Sequence, residues 1–179
     1  TITLNLYSPE KSFGVLRRDG DEPLRFAVGF GRDGISKAGA RFVGGRSLLG
    51  EFRINAILTN DLFSMEPELV RESGKNEAWL KKNLFSNMSS IDFDDDGEGG
   101  EYGAGFIGLR PLSDTKQPFG FHPFKGVFRW YSYAIHGTQD EARVGRKITG
   151  GCINVRADDL QVLIEELEPG DRVVVRLAE

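Results

Sequence analysis

Cys152 is the single cysteine of this 179-residue chain, and it lies in Thr149-Gly150-Gly151-Cys152-Ile153-Asn154. His136, in Ile135-His136-Gly137-Thr138, precedes it by sixteen residues. A thiol becomes a nucleophile when a nearby base takes its proton or holds it as a thiolate, and an imidazole has the basicity for either. The paired glycines permit turn conformations closed to other residues and leave the approach to sulfur open. Consecutive N–H groups in such a turn can face a developing oxyanion. Residue types alone are equally compatible with a small buried thiol near a structural histidine. Zinc is a poor reading, because two histidines and one cysteine without close pairs do not make a closed site. No Asp or Glu stands where it would obviously orient the imidazole, so the Gly137 carbonyl is the nearest candidate for that task.

The elements that must carry these residues read mostly as strands. Ile2, Leu4 and Leu6 alternate with polar residues, and Asp19-Gly20 signals a hairpin turn after Phe13-Gly14-Val15-Leu16. Leu24 to Phe30 predicts another strand, the glycine-rich stretch from Gly29 to Gly45 an exposed loop, and Gly50 to Ile57 a return to the sheet. Asn76 to Phe85 predicts a helix capped by Asn76, and Asn60 to Ser73 a shorter one. Ile107 and Leu109 suggest a short strand, and Gln117 to Gly126, with Pro118 and Pro123, predicts irregular structure. Phe128 to Ile135 reads as a strand that delivers His136 at its end. Leu160, Leu163, Ile164 and Leu167 fall at helical spacing behind a capping box of Asp158 and Gln161. Glu168-Pro169-Gly170-Asp171 stops that helix, and Val173-Val174-Val175 predicts a buried final strand.

With 39% hydrophobic and 28% charged residues the composition is that of a globular domain, and a net charge of −4 provides no basic stripe for nucleic acid. No apolar run has the length of a membrane span, and no segment of the sequence reads as a signal peptide. One domain over 1–179 is expected, with residues 60–105 an insertion or lid. Asp92, Asp94 and Asp96 have the spacing of half a calcium loop, but Gly103 stands where the closing Glu belongs, which favours a solvated acidic loop. Phe119, Phe121, Phe124, Phe128, Trp130, Tyr131 and Tyr133 make an aromatic approach to His136, most of it core cover with one or two residues left for a cleft. His122 in that approach reads as a surface histidine. Arg146 and Lys147, between His136 and Cys152, are placed to meet substrate carboxylates or to form an ordinary charged loop.

His136-Gly137-Thr138, Gly145, Thr149 and Gly151-Cys152-Ile153-Asn154 resemble the active-site signature of the L,D-transpeptidase catalytic domain, the YkuD-like family. Ser47 to Ile54 is similar to the family's upstream Thr-Pro-x-Gly-x-Phe-x-Ile strand, with Ser47-Leu48 in place of Thr-Pro. Gly150 replaces a histidine that many members carry two positions before the cysteine. The resemblance covers residues 1–57 and 128–179. It implies a mostly-β domain, a β-sandwich of mixed sheets with a C-terminal helix and a small helical insertion. It further implies Cys152 as nucleophile, His136 as base, the Gly137 carbonyl as tautomer anchor, and the N–H groups of Gly151 and Cys152 as oxyanion donors. Arg146, Thr149 and Asn154 are the expected substrate-side residues, although Thr149 and Asn154 also suit bracing of the turn.

The implied chemistry is acyl transfer on peptidoglycan stem peptides outside the cytoplasmic membrane, through a thioester, with no metal and no organic cofactor. The outcome is a 3→3 crosslink or exchange of the terminal D-amino acid. Two alternatives stand beside it. One is the same site used with water, as an L,D-carboxypeptidase or a hydrolase releasing wall-anchored protein. The other is a non-catalytic wall-binding module.

Overall fold

A computed structural model of the chain describes residues 1–6, 11–37, 39–59, 61–85, 102–112, 119–124 and 126–178. The acidic segment with Asp92, Asp94 and Asp96 lies outside the described residues, as do Gln117 and Pro118. The N-terminal alternation forms β1 (Ile2–Leu6), β2 (Phe13–Leu16) and β3 (Leu24–Ala27), an antiparallel set turned at Asp19-Gly20. Short strands β4 (Phe30–Gly31), β5 (Gly34–Ser36) and β6 (Arg46–Leu48) lead into the long β7 (Gly50–Thr59) and β8 (Phe63–Met65). Helices α1 (Pro67–Glu72) and α2 (Glu77–Leu80) follow, the second continuing as a π-helical turn over Lys81–Phe85. Then come β9 (Gly105–Pro111), β10 (Gly120–Phe124), β11 (Val127–Tyr131) and β12 (Tyr133–His136). The chain finishes with β13 (Lys147–Thr149), β14 (Ile153–Asn154), α3 (Ala157–Glu166) and β15 (Arg172–Leu177).

One nine-stranded mixed sheet organises the molecule, in the order β14-β12-β9-β7-β15-β1-β2-β3 with β8 beside β7. The Val173-Val174-Val175 strand is central in it: β15 runs parallel to β1 and antiparallel to β7. Val173 and Val175 are accordingly fully buried, as such a position requires of apolar side chains. One face packs against α3 through Leu160 and Leu163. Leu69, Leu80 and Leu84, from α1, α2 and the π turn, join a second cluster with Phe106 and Trp130. Both clusters meet at Cys152, which packs against each.

Several sequence expectations need correction. The stretch 29–45 is not simply an exposed loop: it contains β4 and β5, and Phe30 and Phe42 drop into the core. Its aromatics decide burial where its glycines alone suggest solvent. Described residues of the proline-containing stretch form a hairpin, β10 pairing with β11, held by stacking of Phe121 on Phe128 and Trp130. Pro123 is tolerated because this ladder has only two strands, so each has a free edge. The continuous strand expected over 128–135 breaks at Ser132 into β11 and β12, which belong to different sheets. Asn76 does cap its helix, its side chain accepting from the Trp79 N–H at 2.8 Å. The Asp158–Gln161 capping box does not form. The last helix begins at Ala157, whose N–H donates to the Glu141 carboxylate at 2.7 Å, while Gln161 bonds Glu165.

Leu163→Ala should cost about 3 kcal/mol by emptying a fully buried site, whereas Glu141→Ala should cost about 1 kcal/mol as a lost cap. Leu177→Ala, at an exposed position, should stay within about 0.5 kcal/mol. Urea unfolding of the three variants measures the order.

Candidate active site

The site is built where β12 and β14 lie parallel, Ile135 opposite Ile153 and His136 opposite Asn154. One step back in that register brings Cys152 level with Ala134, two residues before His136. Because side chains on a strand alternate between faces, Cys152 and His136 share one face. Their strands are held together by the Val155 N–H donating to His136 O at 3.0 Å, and on the other side by reciprocal bonds between Gly29 and Asn154. Both side chains open onto one cavity of about 270 Å³.

The turn before the cysteine is held through its carbonyls. Thr149 O accepts from Arg32 N–H at 2.9 Å and Gly150 O from Gly45 N–H at 2.7 Å. Gly151 O accepts from the Ser47 hydroxyl at 2.6 Å, and Cys152 O from the Thr149 hydroxyl at 2.6 Å. Ser47 also accepts from Gly31 N–H at 2.9 Å and is fully buried. Gly151 takes φ +127°, and a Cβ there would come within 2.8 Å of the Phe42 ring and 2.9 Å of Arg46 O. Only glycine fits that position.

Across a trans peptide the N–H points opposite to the carbonyl before it. Anchoring Gly151 O on Ser47 therefore aims the Cys152 N–H the other way. The N–H groups of Gly150 and Cys152 have no hydrogen-bond partner among the described residues. That of Gly151 donates to the Thr149 hydroxyl at 3.1 Å. The Gly151 N–H, expected to face an oxyanion, is engaged inside the turn, and the N–H groups left without a partner among the described residues are those of Cys152 and Gly150.

His136 is buried, and its Nδ1 lies 2.5 Å from Gly137 O. A carbonyl can only accept, so Nδ1 carries the hydrogen and Nε2 keeps its lone pair. The Tyr102 ring stands edge-on to the imidazole, with centroids 5.1 Å apart. Burial pulls the His136 pKa down to about 4, and the positive charge of Arg143 acts in the same direction against the Gly137 hydrogen bond. Burial pushes the Cys152 thiol up to about 12, opposed by a backbone hydrogen bond from Ala134. The thiol faces Ser132 O at 4.0 Å. At rest, near neutral pH, the site therefore holds an uncharged thiol and an uncharged imidazole.

Thr149 and Asn154 also border the cavity, both buried, and the Asn154 Oδ1 has no hydrogen-bond partner. Arg146 does not border it. Its side chain is exposed and its carbonyl accepts from Phe30 N–H. Arg143, three residues earlier, and Arg32 are the arginines on the cavity wall. The cavity's aromatic residues are Phe42 and Tyr102, whereas Phe121, Phe128 and Trp130 belong to the hairpin stack. His122 is exposed on β10. Sequence reasoning missed Ser47 and Arg32. A hydroxyl residue just before the Gly50 strand was the available signal for Ser47; nothing marked Arg32 within a glycine-rich stretch.

Known proteins supply a comparison. The probable L,D-transpeptidase YcfS of Escherichia coli K12 is 32% identical over 56 residues, which is 31% of this chain and 18% of that protein. An L,D-transpeptidase from Mycobacterium smegmatis superposes with TM-score 0.46 and 14% identity, covering 97% of this chain and 58% of the other. This chain thus spans less than two thirds of either. The model of the L,D-transpeptidase catalytic domain, YkuD, matches residues 7–175, a span that includes His136, Cys152 and the loop joining them. With nearly all of its length matched, the chain belongs to the L,D-transpeptidase catalytic domain family.

Proposed function

We propose that the protein is a cysteine-dependent L,D-transpeptidase acting on peptidoglycan stem peptides outside the cytoplasmic membrane. The observation that carries this reading is the convergence of Cys152 and His136 on one face of the β12–β14 pair, opening on one cavity. Nδ1 of His136 is tied to Gly137 O, so Nε2 is the nitrogen free to take a proton. In the proposed reaction Cys152 Sγ attacks the carbonyl of the L-centre of the third stem residue while its proton passes to Nε2. The oxyanion is met by the N–H of Cys152, with Gly150 beside it. Collapse breaks the peptide bond, and the imidazolium returns its proton to the departing D-alanine amine. An amine from a second stem then attacks the thioester, releases Cys152, and forms the 3→3 crosslink; a free D-amino acid as acceptor gives exchange instead. The chain acts as one catalytic unit in this reading. Tyr102 on the cavity wall, from the far end of the 60–105 segment, supports a role for that segment in shaping the site. No helix among the described residues is long and apolar enough to cross a membrane.

Incubation with tetrapeptide stems tests the proposal directly. The wild type should show a thioester mass on Cys152 and convert tetrapeptides to crosslinked dimers; tripeptide alone would mean that water is the acceptor. Cys152→Ala should abolish the adduct and both products, and product formation by that variant would end the enzymatic reading. His136→Gln should slow acylation by roughly 10²–10⁴-fold.

The pH dependence follows from two uncharged groups. With His136 near 4 and Cys152 near 12, the acylation rate should be flat from pH 6 to pH 9 rather than rising through the usual imidazole value of about 6.5. His136 titrates lower in the folded than in the unfolded chain. Its stabilising contribution is therefore present above pH 6.5 and is lost as pH falls toward 4. Thermal unfolding should show a midpoint that declines below pH 6.5, and His136→Gln should flatten that decline. Thr149→Val, which removes two hydrogen bonds from the nucleophile turn, should cost about 2 kcal/mol in urea unfolding and slow acylation as well.

A further inference from the structure

The acyl-transfer reading leaves two cations in the cavity without a task. Arg143 ends the 3₁₀ turn Glu141–Arg143, and Arg32 stands in the turn between β4 and β5; both border the cavity that holds Cys152 and His136. Arg32 is fixed to the nucleophile turn through its backbone, its N–H donating to Thr149 O. Its Nη1 lies 3.8 Å from the point that a Cβ on residue 150 would occupy. A Cβ there would make only ordinary contact with the guanidinium, which therefore lies over Gly150 at the cavity wall. Its Nε lies 3.8 Å from the Asp33 carboxylate across an exposed, solvent-screened pair. Arg143 is half-buried and reaches Ile148 O at 3.5 Å, with no carboxylate partner among the described residues. Among the described residues, no Asp or Glu borders the cavity.

Two guanidinium groups facing one cavity, with no carboxylate among its described lining residues, favour an anion. The planar fork of arginine matches a carboxylate with two parallel hydrogen bonds. We propose that Arg32 and Arg143 form a carboxylate subsite beside Cys152, so that the preferred acyl donor is a peptide with a free carboxylate next to the scissile bond and its amidated counterpart is rejected. The proposal rests on the acyl-transfer reading and names the chemistry by which the donor is chosen. A donor carboxylate paired with Arg143 would also offset the positive charge that now opposes protonation of His136. Recognition of the right donor would in that way ease removal of the thiol proton.

Alkylation of Cys152 by iodoacetamide, followed by intact mass, reads occupancy of the cavity without any turnover. N-acetyl-L-alanyl-D-alanine should slow alkylation of the wild type, and its C-terminal carboxamide should need about tenfold more ligand for equal protection. In Arg143→Gln and in Arg32→Gln the two ligands should converge, each variant being referred to its own unprotected rate, while Arg143→Lys keeps part of the difference. Arg32 is 54% exposed, so its variant keeps the test valid even where the Arg143 variant folds poorly. Equal protection of the wild type by both ligands, protection by neither, or a preference that survives both Gln substitutions overturns the subsite. Failure of the acyl-transfer reading has a different signature: carboxylate-selective protection persists, but no stem peptide forms a thioester.

Discussion

Four consecutive carbonyls, those of Thr149, Gly150, Gly151 and Cys152, each accept a hydrogen bond, and the rest of the site follows from that. A peptide plane has one orientation once its oxygen is anchored, so the amide hydrogens on the opposite edge are set as well. The anchors come from three places in the sequence: Arg32 beside β4, Gly45 and Ser47 around β6, and Thr149 within the turn itself. A turn of this kind is not a local motif. It takes shape only when the stretch 29–47 packs against it, which explains why that stretch buries Phe30 and Phe42. Preorganisation of backbone dipoles is the form of stabilisation that needs no rearrangement at the moment of reaction.

The same packing sets the electrostatics. Enclosing an imidazole and a thiol in apolar surroundings disfavours both charged forms, in opposite pKa directions. A thiolate–imidazolium pair is therefore not the resting state, and in the proposed reaction the proton moves when a substrate carbonyl is there to accept the sulfur. Tyr102, edge-on to His136, and Gly137, holding its Nδ1, leave the ring little freedom to turn. The two arginines on the wall add a positive field that an uncharged pair does not balance.

Much of this was legible in the residues, and the remainder was hidden for identifiable reasons. Strand alternation at Ile2–Leu6 and Gly50–Ile57, the apolar stripe of the last helix, and the Asn76 cap are short-range signals, which a linear reading captures. The Cys152–His136 pairing was legible because both residues belong to one spaced signature. What escaped depends on partners far apart in the sequence. Glu141 rather than Asp158 caps the last helix. Ser47 reaches a carbonyl 104 positions away. Arg32 and Arg143, not Arg146, face the cavity, because a 3₁₀ turn and the close approach of β4 to β13 decide which arginine points inward. Gly151 was expected at the oxyanion from the resemblance of its turn to the family signature, and a neighbouring hydroxyl claims its N–H.

The placement of β15 between β1 and β7 carries a consequence for how the chain reaches this state. β15 follows all the other strands in sequence order yet lies between β1 and β7, so the β1–β3 side and the long strands β7 and β9 are joined only once residues 172–177 are in place. Contacts between segments far apart in sequence close slowly. Loss of residues 172–177 would not trim an edge but split the sheet in two.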